Sequence, residues 1–237
     1  MRIVSVAFFS LLALGACSPV SVIGTPDGEI SLNRTVVPQT SESPTIARFR
    51  AVVARVEPVA EQACRTQTRG LNCDFNIVLD TRPNLQPNAF QTLDERDRPI
   101  IGFTLSLIEE MRNSDELAFA LAHEAAHHIE NHIPQTQTSA VTGALIGSVL
   151  GTIAGLDAAG VESAQRIGGN VGARQFSKDF ELEADAMGAR IAAQAGYDPV
   201  RGVQYFQRAP DPGDRFLGTH PPNAQRIQVV RDVAASL

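Results

Sequence analysis

The stretch His123-Glu124-Ala125-Ala126-His127 has residue types and spacing that could do chemistry. Residues four apart share one helical face, with Cβ atoms roughly 5–6 Å apart. That separation lets two imidazoles meet one zinc ion at about 2.0–2.1 Å each. Glu124 is turned by about 100° from His123 on such a helix. It is badly placed as a third ligand from the same turn and well placed to take a proton from water at the metal. Zinc lowers the pKa of such water to about 7, so a neighbouring carboxylate can complete the deprotonation. The pattern therefore points to metal-assisted hydrolysis, but its three fixed positions leave the ligand set incomplete.

A second pair of acids, in Glu181-Leu182-Glu183-Ala184-Asp185, can complete it. Glu181 and Asp185 are again four apart. One carboxylate can bind the metal, and the other can accept the N–H of a ligand histidine and fix its tautomer. Two histidines, one carboxylate and a water make a catalytic site with an open position. Glu183 competes with Glu181 for the ligand role, because the two point about 200° apart on a helix and only one can face the histidines. His128 and His132 repeat the four-residue spacing with Ile129 between them; with no acid there, they read as an exposed pair.

Helices must position these groups. Asn113, followed by Glu116 three residues on, fits a helix start. The helix runs from there through His123 and His127 to about His132, where Pro134 ends it. Phe180 to Ala195 is a second strong helix, closed by Gly196. Thr45 to Arg65 is amphipathic, with Pro58 expected to kink or divide it. Asp74 to Asp80 reads as a strand, and Ala89–Leu93 with Arg98–Thr104 as a hairpin around a charged tip. Leu105 to Arg112, Val200 to Gln207 and Asn223 to Val233 are shorter helices. Gly143, Gly147, Gly151 and Gly155 recur every fourth residue and would make a smooth ridge that another helix can approach closely. That segment is either packed against the domain or exposed for membrane contact or self-association. Ala158 to Gly172 reads as flexible or loosely helical. The expected fold is α+β and mostly helical, with a small mixed or antiparallel sheet packed on the active-site helix.

The chain has 237 residues and a net charge of −6, which argues against a nucleic-acid groove. Met1-Arg2 precedes an apolar run, Ile3 to Leu14, with the length of a signal-peptide core. Leu14-Gly15-Ala16-Cys17 resembles a bacterial lipobox, which implies cleavage before Cys17 and a lipid anchor there. Residues 1–16 are then a signal peptide, 17–45 a tether rich in Ser, Thr, Pro and Gly, and 46–237 the domain, with 139–172 a glycine-rich helical insertion. Ser18, where an aspartate would favour the inner membrane, directs the expectation to the periplasmic face of the outer membrane. In that oxidising compartment the remaining cysteines, Cys64 and Cys73, are expected to form a disulfide.

Taken together, the run from Asn88 to Asp185 resembles the M48 family of zinc metallopeptidases, and most closely its periplasmic lipoprotein members. Asn88-Ala89-Phe90, Pro99 to Thr104, Asp115-Glu116-Leu117 and the two motifs above carry the resemblance. It implies a zincin-like fold and a single zinc ion held by His123, His127 and Glu181. It also implies Glu124 as general base, Asp185 behind a ligand histidine, and substrate bound at Asn88, Ala89 and Phe90 by strand addition. His220, in Thr219-His220-Pro221-Pro222, fits a histidine that in some relatives reaches the zinc or the oxyanion. The implied substrates are envelope proteins or peptides, in protein quality control. A non-catalytic zinc-containing chaperone in the envelope is the competing reading, disfavoured by the intact Glu124.

Overall fold

The structure, a computed structural model, describes residues 29–31, 43–175, 177–211 and 221–237. The segment expected to be a signal peptide, Cys17 and most of the segment read as a tether lie outside the described residues. A short strand β1 (Glu29–Ser31) falls in the segment read as tether and pairs antiparallel with strand β2 (Asn76–Asp80).

The expected hairpin forms as β3 (Ala89–Leu93) and β4 (Pro99–Thr104), paired antiparallel with Ala89 opposite Phe103 and Phe90 opposite Gly102. Its tip is held by the Asp94 carboxylate, which accepts the backbone N–H groups of Arg96 and Arg98 at 2.8 and 2.9 Å. β2 pairs in parallel with β4, so the sheet is mixed, in the order β1-β2-β4-β3, and β3 is left at an edge. The fold is α+β and mostly helical.

One sheet face carries Ile77, Leu79, Ile101 and Phe103 into the core. Helix α1 (Pro44–Gln67) covers it with Phe49, Val52, Val53 and Val56, and Phe49 meets Phe103 at 4.9 Å between ring centroids. Pro58 does not divide α1. It lies on the exposed side beside exposed Ala54, so water can satisfy the carbonyl that the proline leaves without a donor.

After the short helix α2 (Leu105–Glu110), α3 (Ser114–Ile129) runs through the centre of the molecule. Asn113 caps it by accepting the Glu116 N–H at 2.9 Å. The Glu116 carboxylate accepts the N–H of Arg112, one residue earlier than a capping box requires, and also binds Arg208 at 2.7 and 2.8 Å. The helix stops before His132. Asn131 adopts a left-handed conformation at φ 59°, and α4 (His132–Ile153) starts in a new direction. Pro134 therefore sits in the first turn of α4 rather than ending α3, where its missing N–H costs no helical bond.

The glycine ridge has a partner within the chain. Residues 158–172, expected to be loose, belong to the regular helix α5 (Ala158–Gln175), which packs on α4. A Cβ on Gly143 would lie 2.2 Å from the Gly168 carbonyl oxygen, and one on Gly147 2.2 Å from that of Ala164. The two backbones touch, so the ridge is not free for a second copy. Gly155 is not part of it. At φ +71° it ends α4, with Leu156 N–H bonded to Gly151 O at 3.1 Å and its own N–H to Thr152 O at 3.0 Å. The outer side of α4 exposes Val141, Leu145, Val149 and Ile153. Among the described residues no helix is long and apolar enough to cross a membrane.

Helix α6 (Ser177–Gln194) lies against α3 and ends at Gly196, φ +83°. The short α7 (Pro199–Gly202), a 3-10 turn (Val203–Gln207) and α8 (Asn223–Ala234) close the opposite side of α3 and α6.

Cys64, at the end of α1, is joined to Cys73 by a disulfide across a separation of nine residues. Replacing both by alanine should lower unfolding free energy by about 2–3 kcal/mol through the freed chain entropy. Urea denaturation should show this loss without reductant, and much less of it when the native chain is also reduced. Gly147→Leu should force α4 from α5 at a cost of roughly 1–3 kcal/mol. Hydrogen exchange should then accelerate in both helices and stay unchanged in α1 and α3.

Candidate metal centre

α3 and α6 can come close because the residues between them are small. Ala122, Ala126, Ala184 and Ala192 are all buried there. Gly188 sits directly against α3, where a Cβ would be 2.9 Å from the His123 nitrogen and 3.0 Å from its Cα. This approach carries the acids of α6 to the histidines of α3.

His123 Nε2 and His127 Nε2 lie 3.1 Å apart. Glu181 places Oε2 at 3.5 Å from the first and Oε1 at 3.5 Å from the second. Zinc with bonds of ~2.0–2.2 Å and near-tetrahedral angles separates its donor atoms by roughly 3.1–3.6 Å. The three side chains therefore fit such an ion, and they are a group that could hold a metal among the described residues. Glu183, the competing candidate, turns away from the pair towards His132.

Asp185 is fully buried behind His123, with Oδ1 at 3.0 Å from Nδ1. Its remaining acceptor capacity is taken by Arg226 of α8, which donates from Nε to Oδ2 and from a terminal nitrogen to Oδ1, both at 2.7 Å. Arg226 also approaches Glu181 Oε2 at 3.3 Å and stacks over the Phe206 ring at 4.0 Å. It was not anticipated from sequence. The available signal was an arginine on the apolar face of the last helix, four residues before buried Val230.

The second histidine of the pair is backed differently. His127 Nδ1 lies 2.9 Å from His132 Nδ1, and His132 Nε2 lies 3.1 Å from Glu183 Oε2. The expectation that His128 and His132 form an exposed pair is wrong, since both are buried. The break at Asn131 separates them. His128 turns to the Asn72 carbonyl at 2.7 Å and to the edge of Phe75, while His132 stacks on Phe180 at 4.5 Å.

The electrostatics suit a cation. Burial opposes a charged His123, but the hydrogen bonds it donates to Asp185 and Glu181 outweigh it and raise its pKa to about 10. Burial lowers His127 to about 3, helped by the neighbouring charge of His123. Burial also works against an ionised Glu181, yet His123, Arg226 and His127 together hold its carboxyl below the usual range. Two ionised carboxylates facing one arginine draw a proton onto His123, and a divalent ion would meet the same demand.

Glu124 is half-buried and faces the cleft. Burial raises its pKa to about 7, a value suited to exchanging protons near neutrality. Two cavities meet at Glu124, His127 and Glu181. One, of about 370 Å³, is walled by Leu107, Met111, Phe119, Tyr205 and Phe206 and reaches Asn88 and Ala89. The other, of about 350 Å³, runs past Gln91, Ile133, Thr136 and Phe180.

Asn88 and Ala89 border the first of these cavities. Phe90 does not line either cavity. It alternates to the other sheet face, where its ring fills the space above Gly102 at 2.3 Å from where a Cβ would stand. His220 lies outside the described residues.

The profile of Peptidase family M48 matches residues 47–234. Among curated proteins, none matches the chain in sequence. The match spans most of the chain, including both helices that build the centre, and the chain therefore belongs to peptidase family M48, the family of metallopeptidases.

Proposed function

We propose that this metallopeptidase is a zinc-dependent endopeptidase acting on proteins of the bacterial cell envelope, in protein quality control. The observation that carries zinc is the set of donor separations, 3.1, 3.5 and 3.5 Å among His123, His127 and Glu181. Internal cleavage is supported by the cleft, which extends to both sides of Glu124 and so has room for chain on each side of the cut bond. Among the described residues strand β3 has an unpaired edge beside the cleft, so Ala89 can pair with an extended substrate backbone, whereas the backbone N–H and carbonyl of Asn88 are turned to Thr104 and leave only its side chain for substrate. Phe90 supports that edge from the far face.

The chemistry a zinc ion supplies when bound is Lewis-acid assistance to water addition at a carbonyl. Glu124 takes the proton of the attacking water and passes it to the leaving amine. Asp185 holds His123 with Nδ1 protonated and Nε2 towards the cavity. Arg226 keeps Asp185 ionised and sits within reach of the same pocket. His220 is assigned to oxyanion stabilisation on the strength of its Thr219-His220-Pro221-Pro222 setting.

Envelope location is supported by Leu14-Gly15-Ala16-Cys17 and by the Cys64–Cys73 disulfide, which suits an oxidising compartment. The proposed anchor is lipid on Cys17, with the domain at the periplasmic face of the outer membrane.

Glu124→Gln should keep one zinc per chain and lose proteolysis by roughly 10²–10⁴-fold. Metal analysis beside cleavage of an unfolded protein substrate checks both, and undiminished cleavage would reject the base assignment. Glu181→Ala should lose the metal and the activity together. Cys17→Ala should abolish incorporation of labelled fatty acid and release the chain from membranes; labelling that persists would reject the anchor.

A further inference from the structure

His127 meets a chain of partners that the hydrolytic reading does not use. To offer Nε2 to a metal, an imidazole must carry its proton on Nδ1, and the group that receives that N–H fixes the ring. For His123 this group is Asp185. For His127 it is another histidine.

Two neutral imidazoles that face each other through Nδ1 can share only one proton. At 2.9 Å, one of His127 and His132 donates and the other accepts. Glu183 decides the direction. Its carboxylate only accepts, and it lies 3.1 Å from His132 Nε2, so the His132 proton belongs on Nε2. His132 Nδ1 is then a lone pair and must accept from His127 Nδ1–H. The lone pair of His127 is left on Nε2, which faces His123 Nε2 and Glu181. Phe180 stacks on the His132 ring with planes 16° apart and holds its orientation. His132 is only 3% exposed, whereas the Glu183 side chain is 56% exposed, so the chain of contacts runs from the metal pocket to the surface.

From this geometry we infer that His132 and Glu183 are positioning residues that fix His127 as an Nε2 metal ligand. The inference rests on the metal centre proposed above. It also gives a role to Glu183 on the opposite side of α6 from Glu181: one acid binds the metal and the other orders the ligand beside it.

The test uses the full chain, with Glu183→Ala as the main variant because its exposed side chain can be removed without opening the core. Zinc affinity, measured by competition with a chromophoric chelator, should fall about 10-fold or more. Glu183→Gln keeps an acceptor oxygen and should restore most of it. His132→Phe, which keeps the stack on Phe180 but removes the acceptor, should weaken zinc at least as much as Glu183→Ala. In the metal-free chain, nitrogen-15 spectra of the imidazoles should show His127 as the Nδ1–H tautomer, and Glu183→Ala should mix the two tautomers while leaving the melting temperature unchanged. Native zinc affinity and an unmixed tautomer in Glu183→Ala would overturn the relay. Failure of the native chain to bind zinc would overturn the metal centre instead, and the tautomer in the metal-free chain would still decide whether the relay exists.

Discussion

The contact of α6 with α3 at Gly188 is the constraint on which the remainder of the molecule depends. Glu181, 54 residues after His127, and Asp185 reach the histidines only if α3 and α6 approach closely, which Gly188 and the buried alanines Ala122, Ala126 and Ala184 allow. Any Cβ at 188 would press on the backbone of His123 itself. The same small residues form part of the main core. Packing and chemistry are therefore set by one interface: a shift that loosened the core here would also spread the three donor atoms beyond the reach of a single ion, since metal bonds tolerate only tenths of an ångström.

That interface buries charge, which must be compensated. An ionised carboxylate with no exposed surface is strongly unfavourable unless its oxygens are filled and an opposite charge is near. Asp185 meets both conditions through the fork of Arg226 and the N–H of His123. This makes α8, which contributes none of the three candidate ligand atoms, a structural requirement of the site. Arg226 in turn is flanked by the Phe206 ring, whose face attracts the guanidinium. A similar lock closes the N-terminal end of α3, where buried Glu116 binds Arg208.

The parts that were legible in sequence are those written in local spacing. The His123–His127 pair, the Glu181–Asp185 pair, the β3–β4 hairpin, the cap at Asn113 and the stop at Gly196 each depend on residues within a few positions of one another. The choice of Glu181 over Glu183 needed a family resemblance, because helical spacing alone allows either. What escaped depends on partners far along the chain. Residues 158–172 look loose because Gly160, Gly168, Gly169 and Gly172 weaken a helix in isolation; contact with α4 supplies the stability. Phe90 looked like a cleft residue, but strand alternation and the empty space over Gly102 turn it away. Arg226 could not be paired with Asp185 before the fold was known; the burial of His128 follows from its contacts with Asn72 and Phe75, far back in the chain, and that of His132 from a bend in the chain rather than from its spacing.

That bend is at Asn131. In an unbroken helix, residues five apart point about 140° away from each other, so His132 could not face His127. A single left-handed residue at φ 59° ends α3, redirects the chain and brings the His132 ring back to 2.9 Å from His127. Asparagine is among the few residues besides glycine that take this conformation at little cost. An interrupted helix thus accomplishes what a regular one cannot: it lays three imidazoles in a row, two facing the cavity and the third behind them, and it sends α4 off towards its pairing with α5. The periodic pattern of the sequence predicts one continuous helix through His132, and the centre departs from that pattern at the position where His127 acquires its partner.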